Sequence, residues 1–235
     1  MSGGDQLGVR TLKLLAEQWM VATLRGLAEG ALRPAELERS LGDGGHATVM
    51  RRLRHLLDRE LVSYEHRPGL PPHGRRAAVP RRAYYGLTEG GRMLLEVPAA
   101  GADWERRWRA GPPRGASAAA TDGTFAIKLL ADDHTREILL LLAGGPLFAR
   151  ELDERASGLG RSALRRRLRD LGLAGLLERS ERGGGPRYEL TAAARRLASV
   201  AGSAGCWESR WARPGGPVRG DRLDELRWWD ALERG

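Results

Sequence analysis

A mainly α-helical chain with small β-hairpins, an α+β arrangement built twice, is the fold class this sequence predicts. Three observations lead there. The sequence matches itself at an offset of 115 residues. Each copy has helical apolar periodicity that ends in an arginine-rich amphipathic stretch, "ATVMRRLRHLLDRELVSYE" from Ala47 and "RSALRRRLRDLGLAGLLERSE" from Arg161. Each stretch then runs into two short segments with strand-like alternation, separated by a loop of Gly, Pro and Arg.

The repeat sets the organisation. "TLKLLAEQ" at Thr11 lies over "AIKLLADD" at Ala126, and Leu24, Leu27, Ala28 and Leu32 lie over Leu139, Leu142, Ala143 and Leu147. Glu36-Leu37 lies over Glu151-Leu152, and Arg51-Arg52-Leu53 over Arg166-Arg167-Leu168. The offset then becomes 103, placing "YYGLTEGGRMLLEV" at Tyr84 over "RYELTAAARRLASV" at Arg187 and "WERRW" at Trp104 over "WESRW" at Trp207. Two copies are too few for a solenoid, so a tandem pair of like domains is the simpler reading. Residues 8–110 form the expected first domain and 124–212 the second. The Gly-, Pro- and Ala-rich segment 111–123 is the expected linker, and 213–235 the tail.

Within the first copy, Thr11 to Glu29 has helical periodicity and Gly30 ends it. Ala35 to Leu41 reads as a short helix after Pro34, "GDGG" as a turn, and His46 to Arg59 as the second helix of a pair. On a helical wheel Val49, Leu53 and Leu56 fall within about 60° of one another, with Met50, Arg51 and Arg54 roughly opposite. In the second copy Leu164, Leu168 and Leu171 form the stripe over 161–171, and Arg165, Arg166 and Arg169 face away. "LVSYEH" with "RAYYGLT", and "LLERSE" with "PRYELT", read as hairpins. Their loops are long in the first copy, "RPGLPPHGRRAAVPRR", and short in the second, "RGGGPR". A closing helix follows each, from Thr88 to about Val97 and from Thr191 to about Val200. In the tail, Leu223, Leu226, Trp229 and Leu232 are spaced as an amphipathic helix. Three helices followed by a basic hairpin make a winged helix-turn-helix, here twice, with a C-terminal helix added.

The order of motifs resembles the HxlR family of bacterial winged-helix transcription regulators, relatives of MarR. It is carried by Trp19, Leu24, Leu27, Gly30, Glu36-Leu37, Arg52-Leu53-Arg54, Leu61-Val62, Tyr85, Leu87-Thr88, Gly91 and Trp104. The second copy keeps Leu139, Leu142, Gly145, Glu151-Leu152, Arg167-Leu168-Arg169, Leu176-Leu177, Tyr188 and Leu190-Thr191. The resemblance implies binding of double-stranded DNA and control of transcription. It departs at the recognition-helix caps, where Gly45 and Gly160 stand in place of the family's usual Ser, and in lacking an N-terminal cysteine in either copy. Single-domain members usually dimerise, which makes an intramolecular pseudo-dimer the expectation for this chain and leaves further oligomerisation open.

Composition narrows the function classes. The net charge is +9, and basic residues include only two lysines, Lys13 and Lys128. With Ala, Gly and Pro abundant, that bias also fits a GC-rich coding sequence, so distribution matters more than the total. His46–Arg82 holds nine Arg and three acids, and Arg161–Arg187 eight Arg and three acids. The excess is concentrated on the predicted recognition helices and wings, as a polyanion partner requires. Cys206 is the single cysteine, which excludes an internal disulfide. The longest strongly apolar run, Ile138–Ala143, is too short to span a bilayer. A cytoplasmic, nucleoid-associated protein without membrane contact is expected. No Ser-His-Asp or paired-carboxylate constellation and no metal-ligand spacing is present, so neither an enzyme nor a cofactor or metal is expected.

The expected DNA contacts follow. Arginine's planar fork grips a phosphate or the guanine edge, and the N-terminal half of a recognition helix enters the major groove. The first copy presents His46, Thr48, Met50, Arg51 and Arg54; the second presents Arg161, Ser162, Arg165, Arg166 and Arg169. The two sets differ, so an asymmetric operator is expected. Arg75, Arg76, Arg81 and Arg82 on one wing, and Arg182 and Arg187 on the other, are expected on phosphates or in the minor groove. Arg52 and Arg167 flank the leucine stripes and suit structural ion pairs as well as phosphate contacts. Trp19, Trp104, Trp108, Trp207 and Trp211 suit helix packing, with a pocket for a small planar effector as the sharper alternative. The rival functions are nonspecific nucleic-acid binding by a chromosome-organising protein and a winged-helix protein–protein adaptor.

Overall fold

A computed structural model of the chain describes residues 8–42, 45–68, 81–108, 121–156, 158–182 and 185–211, without side chains at 67, 68, 81, 82 and 182. Arg75, Arg76, most of the expected linker and the 213–235 tail with its expected helix lie outside the described residues.

The expected helix Thr11–Glu29 is two helices, α1 (Val9–Ala16) and α2 (Met20–Ala28). Trp19 turns the chain between them in the left-handed region, at φ 68°, and the Met20 N–H bonds the Glu17 carbonyl at 3.1 Å. The apolar period continues through this break, which is why the sequence reads as one helix. The chain divides into two compact units, Glu17–Glu96 and Met1–Ala16 with Val97–Gly235.

In Glu17–Glu96, α2 is followed by α3 (Pro34–Leu41), α4 (His46–Asp58), β1 (Val62–Pro68), β2 (Arg81–Leu87) and α5 (Glu89–Leu94). Pro34 starts α3 because its missing N–H costs nothing in the first turn. The Glu36 carboxylate accepts the Arg33 N–H at 2.9 Å, so the Glu of "EL" is a cap that sets the angle of the helix pair. Leu37, Leu41, Val49, Leu53 and Leu56 bury the inner faces of α3 and α4 against Met20, Leu24 and Leu27. β1 and β2 pair antiparallel from Val62↔Leu87 to Pro68↔Arg81, and Leu32 adds an antiparallel bridge to Tyr85. Thr88 locks the hairpin to the helices: its hydroxyl donates to the Glu60 carbonyl at 2.7 Å and accepts the Gly91 N–H at 3.1 Å. A Cβ at Gly91 would lie 2.0 Å from the Leu61 carbonyl oxygen, so only glycine fits there.

The expected closing helices are each broken once. After α5 the chain re-forms α6 (Glu96–Trp108), whose Pro98 sits in the first turn where a proline is tolerated. The unit that holds α1 and α6 continues with α7 (Thr124–Ala131), α8 (Asp133–Ala143), β3 (Leu147–Phe148), α9 (Ala149–Arg155), α10 (Arg161–Leu173), β4 (Leu177–Arg182), β5 (Gly185–Leu190), α11 (Ala192–Arg196) and α12 (Ala198–Trp211). Its sheet is antiparallel in the order β3-β5-β4. The same fastenings recur. Glu151 accepts the Phe148 N–H at 2.7 Å, and the Thr191 hydroxyl donates to the Gly175 carbonyl at 2.7 Å and accepts the Ala194 N–H at 3.2 Å. Leu164, Leu168 and Leu171 are buried with Ile138, Leu139, Leu142 and Leu152.

α1 packs on α7 and α12 through a reciprocal pair of caps. Gly123 precedes α7 at φ +80°, and a Cβ there would lie 2.2 Å from the Pro98 carbonyl oxygen. No side chain is available at that position to cap α7, and Glu105 of α6 supplies one: its Oε1 accepts the Phe125 and Ala126 N–H groups at 2.9 and 3.1 Å. Gly8 precedes α1 at φ +79° with its Cβ position 2.8 Å from the Gly205 nitrogen. There Glu208 of α12 accepts the Thr11 N–H at 3.3 Å and its hydroxyl at 2.9 Å. Both carboxylates are buried, and they occupy the same place in "WERRW" and "WESRW".

Candidate nucleic-acid interface

The site begins with the split each amphipathic helix makes between its faces. In α4, Val49, Leu53 and Leu56 are buried while His46, Arg51 and Arg54 are exposed, with Thr48 and Met50 half-buried at the rim. In α10, Leu164, Leu168 and Leu171 are buried while Arg161, Ser162, Arg165, Arg166 and Arg169 are exposed. Gly45 and Gly160 are the N-caps and contribute no side-chain bond, and the Thr48 N–H in the first turn of α4 bonds the Gly45 carbonyl at 2.8 Å. The positive end of the helix dipole and exposed guanidinium groups on one face suit a polyanion.

Neighbouring acids divide the cations. Arg161 Nε pairs with Asp153 at 2.8 Å, and Arg169 stands 3.9 Å from Asp170. His46 faces Glu38 at 3.5 Å. Arg51, Arg54, Arg165 and Arg166 are exposed and make no ion pair among the described residues. The exposed pair Arg161–Asp153 is weak in water and is readily exchanged for a phosphate. Arg167 is spent on structure: its Nη2 bonds Asp132 at 3.1 Å, the residue whose other oxygen caps α8 through the Thr135 N–H at 2.7 Å. Arg52, at the same repeat position, is buried at 8% exposure and its Nη1 has no hydrogen-bond partner. Burial, then the charge of Arg51, holds its guanidinium below the ordinary arginine range against the pull of Glu17.

The hairpins place the wing cations unevenly. Arg81 and Arg82 sit in β2 opposite Pro68 and Arg67, and Arg182 ends β4 opposite Gly185; their side chains lie outside the described residues. Arg187 is half-buried, its guanidinium 5.8 Å from the Phe148 ring centroid, with Arg150 at 5.7 Å over the same ring. Arg150 is a cation the sequence reading missed; "FAR" beside a strand held no periodic signal for it. On the first hairpin Tyr64 is 54% exposed and packs edge-on to His66 and against Tyr85, a second missed surface.

The tryptophans have separate fates. Trp104 is buried, stacks on Phe125 at 6.4 Å and donates its Nε1–H to the Ala193 carbonyl at 2.8 Å. Trp108 is exposed, and Trp207 and Trp211 are half-buried along α12. Trp19 is the half-buried left-handed residue of the other unit.

Residues 14–111 match the HxlR-like helix-turn-helix family. The matched segment runs from α1 through α6 and includes α3, α4 with Arg51 and Arg54, and the first hairpin, whereas α10 with Arg165 and Arg166 lies outside it. That family is one of DNA-binding transcription regulators, and the match covers less than half of the chain. No match to the chain emerges among curated proteins or solved structures. No helix among the described residues is long and apolar enough to cross a membrane, and no cluster of three metal-ligating side chains occurs among them.

Proposed function

We propose that the protein regulates transcription as two winged helix-turn-helix domains in one chain, a tandem duplication of the HxlR type. In this reading α4 and α10 enter the major grooves of double-stranded DNA, and the wing cations rest on the backbone or in the minor groove. The observation that carries it is the set of exposed guanidinium groups without ion pairs among the described residues, Arg51, Arg54, Arg165 and Arg166, set opposite the buried leucine stripes. The reciprocal caps, Glu105 on α7 and Glu208 on α1, support an intramolecular pseudo-dimer. Such an exchange of like contacts is the signature of an isologous interface.

The two recognition helices share Arg51/Arg166 and Arg54/Arg169 but differ at His46/Arg161 and Met50/Arg165. Shared arginines suit phosphates, and the differing positions suit unequal half-sites. Selection from a random DNA library, read with and without competitor, tests this. One sharp asymmetric motif is the expected outcome. Broad salt-sensitive binding would indicate a chromosome-organising protein, and absence of binding an adaptor. Each phosphate-contacting arginine changed to Gln should lower the slope of log K against log salt by about 0.9.

A further inference from the structure

We infer that Arg150, held on the ring of Phe148 beside Arg187, is a DNA-backbone contact that the second copy has and the first lacks. The inference rests on the DNA-binding reading and adds a residue to that interface.

Three side chains build the site. Phe148 ends β3 and precedes α9, Arg150 lies in the first turn of α9, and Arg187 lies in β5 in register with Phe148. Arg150 is exposed and Arg187 half-buried, their guanidinium carbons 5.7 and 5.8 Å from the ring centroid. An aromatic face attracts a guanidinium, so Phe148 restricts two long side chains at one place. No carboxylate neutralises either of them: neither makes an ion pair among the described residues. Glu151 is committed to the Phe148 N–H at 2.7 Å, Glu181 to Arg179, and Glu189 to Arg195 at 3.5 Å. Two like charges gathered about one ring repel, and a phosphate oxygen that meets Arg150 from solvent offsets that repulsion. The Arg187 Nε is shut off from solvent and takes no part in the contact. Arg150 is the group a duplex can reach.

Position in the fold agrees. α9 is the first helix of the pair whose second helix, α10, carries Arg165 and Arg166. In helix-turn-helix proteins the first helix crosses the backbone while the second enters the groove. A cation at the exposed start of α9 therefore meets a phosphate, which positions the protein without reading sequence. The first copy has surrendered the same place. Ala35 stands for Arg150, Tyr84 for Arg187 and Arg33 for Phe148. Arg33 is tied to Glu36, its Nε donating to Oε1 at 2.8 Å, so the cation left there is neutralised within the protein.

The full chain with a fluorescently labelled mixed-sequence duplex tests the contact, because backbone contacts are indifferent to sequence. Anisotropy titrations over a salt series give the slope of log K against log salt. Arg150→Gln should lower that slope by about 0.9, the value of one phosphate, and Arg150→Lys, which keeps the charge, should retain it. Arg155→Gln is the control: it removes the same charge from the far end of α9, about 140° round the helix, and should leave the slope unchanged. Circular dichroism verifies that the variants stay folded. An unchanged slope in Arg150→Gln, or an equal fall in Arg155→Gln, overturns the site and leaves the DNA-binding reading standing. Absence of duplex binding by the native chain overturns both.

Discussion

Removing the Glu105 carboxylate should cost more stability than any other single truncation of a charged side chain in the described structure. Glu105 is 1% exposed, and its Oε1 accepts the Phe125 and Ala126 N–H groups at 2.9 and 3.1 Å. Hydrogen bonds to a charged group contribute about 1.5–3 kcal/mol each, and leaving buried donors unsatisfied incurs their full desolvation cost. The loss of a negative charge at a helix N-terminus adds about 0.3–1 kcal/mol. Glu105→Ala is therefore expected to destabilise by about 3–6 kcal/mol. Glu105→Gln, which keeps an acceptor and loses the charge, should cost about 1–2 kcal/mol. Glu208→Ala should fall between them, because its backbone bond is longer at 3.3 Å and its second donor is a hydroxyl. Urea unfolding by far-UV circular dichroism, with tryptophan fluorescence as a second probe for Trp104 against Phe125, measures all three. A Glu105→Ala variant within about 0.5 kcal/mol of the native chain, the range of an ordinary surface change, would falsify the claim that these helices are capped from outside.

Three further outcomes are expected. Glu60 holds a left-handed φ of 57°, where the equivalent repeat position is Gly175 at φ 73°, so Glu60→Gly should stabilise by about 0.5–1 kcal/mol, measured as a higher urea midpoint at unchanged slope. Thr191→Ala removes a cap and the tie to the Gly175 carbonyl and should lose about 1–2 kcal/mol; Thr191→Ser, which keeps the hydroxyl, should recover most of it in the same assay. Asp133 is held below its ordinary 3.8, first by Lys13 and then by Arg136. Its folded value is the lower one, so its contribution is present above the unfolded value and is lost as pH falls from about 4 through the folded value. Its side chain is 56% exposed, which limits the contribution to under about 1 kcal/mol, and Asp133→Asn should differ from the native chain at pH 6, the difference shrinking as pH falls below about 4.

The fold was largely legible where periodicity and capping agree. α3, α4 and α10 begin where Pro34, Gly45 and Gly160 direct, and the two hairpins follow the alternation in "LVSYEH" and "LLERSE". The breaks were not legible in the same way. Asp132 is an N-cap signal for α8 that sequence can offer, but Glu17 and Gln18 give none, and the left-handed Trp19 is settled by packing. Capping from another helix was equally hidden. Glu105 and Glu208 stand between tryptophans in the sequence, and their burial depends on helices about twenty and two hundred residues away. At the candidate site, exposure of Arg51, Arg54, Arg165 and Arg166 follows from the wheel, while the different fates of Arg52 and Arg167 depend on where one acidic neighbour points.

The pattern of agreement between the repeats separates scaffold from contact surface. Positions that hold backbone in place keep their chemistry: Glu36 with Glu151, Thr88 with Thr191, Glu105 with Glu208, and Gly8 with Gly123. Positions at the start of α4 and α10 do not: His46 stands against Arg161, Thr48 against Ala163 and Met50 against Arg165. Unconstrained surface drift would scramble the exposed arginines as readily as their neighbours, yet Arg51/Arg166 and Arg54/Arg169 are retained in both helices. Cations at fixed turns of the helix, with variation between them, are the pattern that the proposed DNA-binding reading expects, because phosphates recur along a duplex while base edges change with sequence.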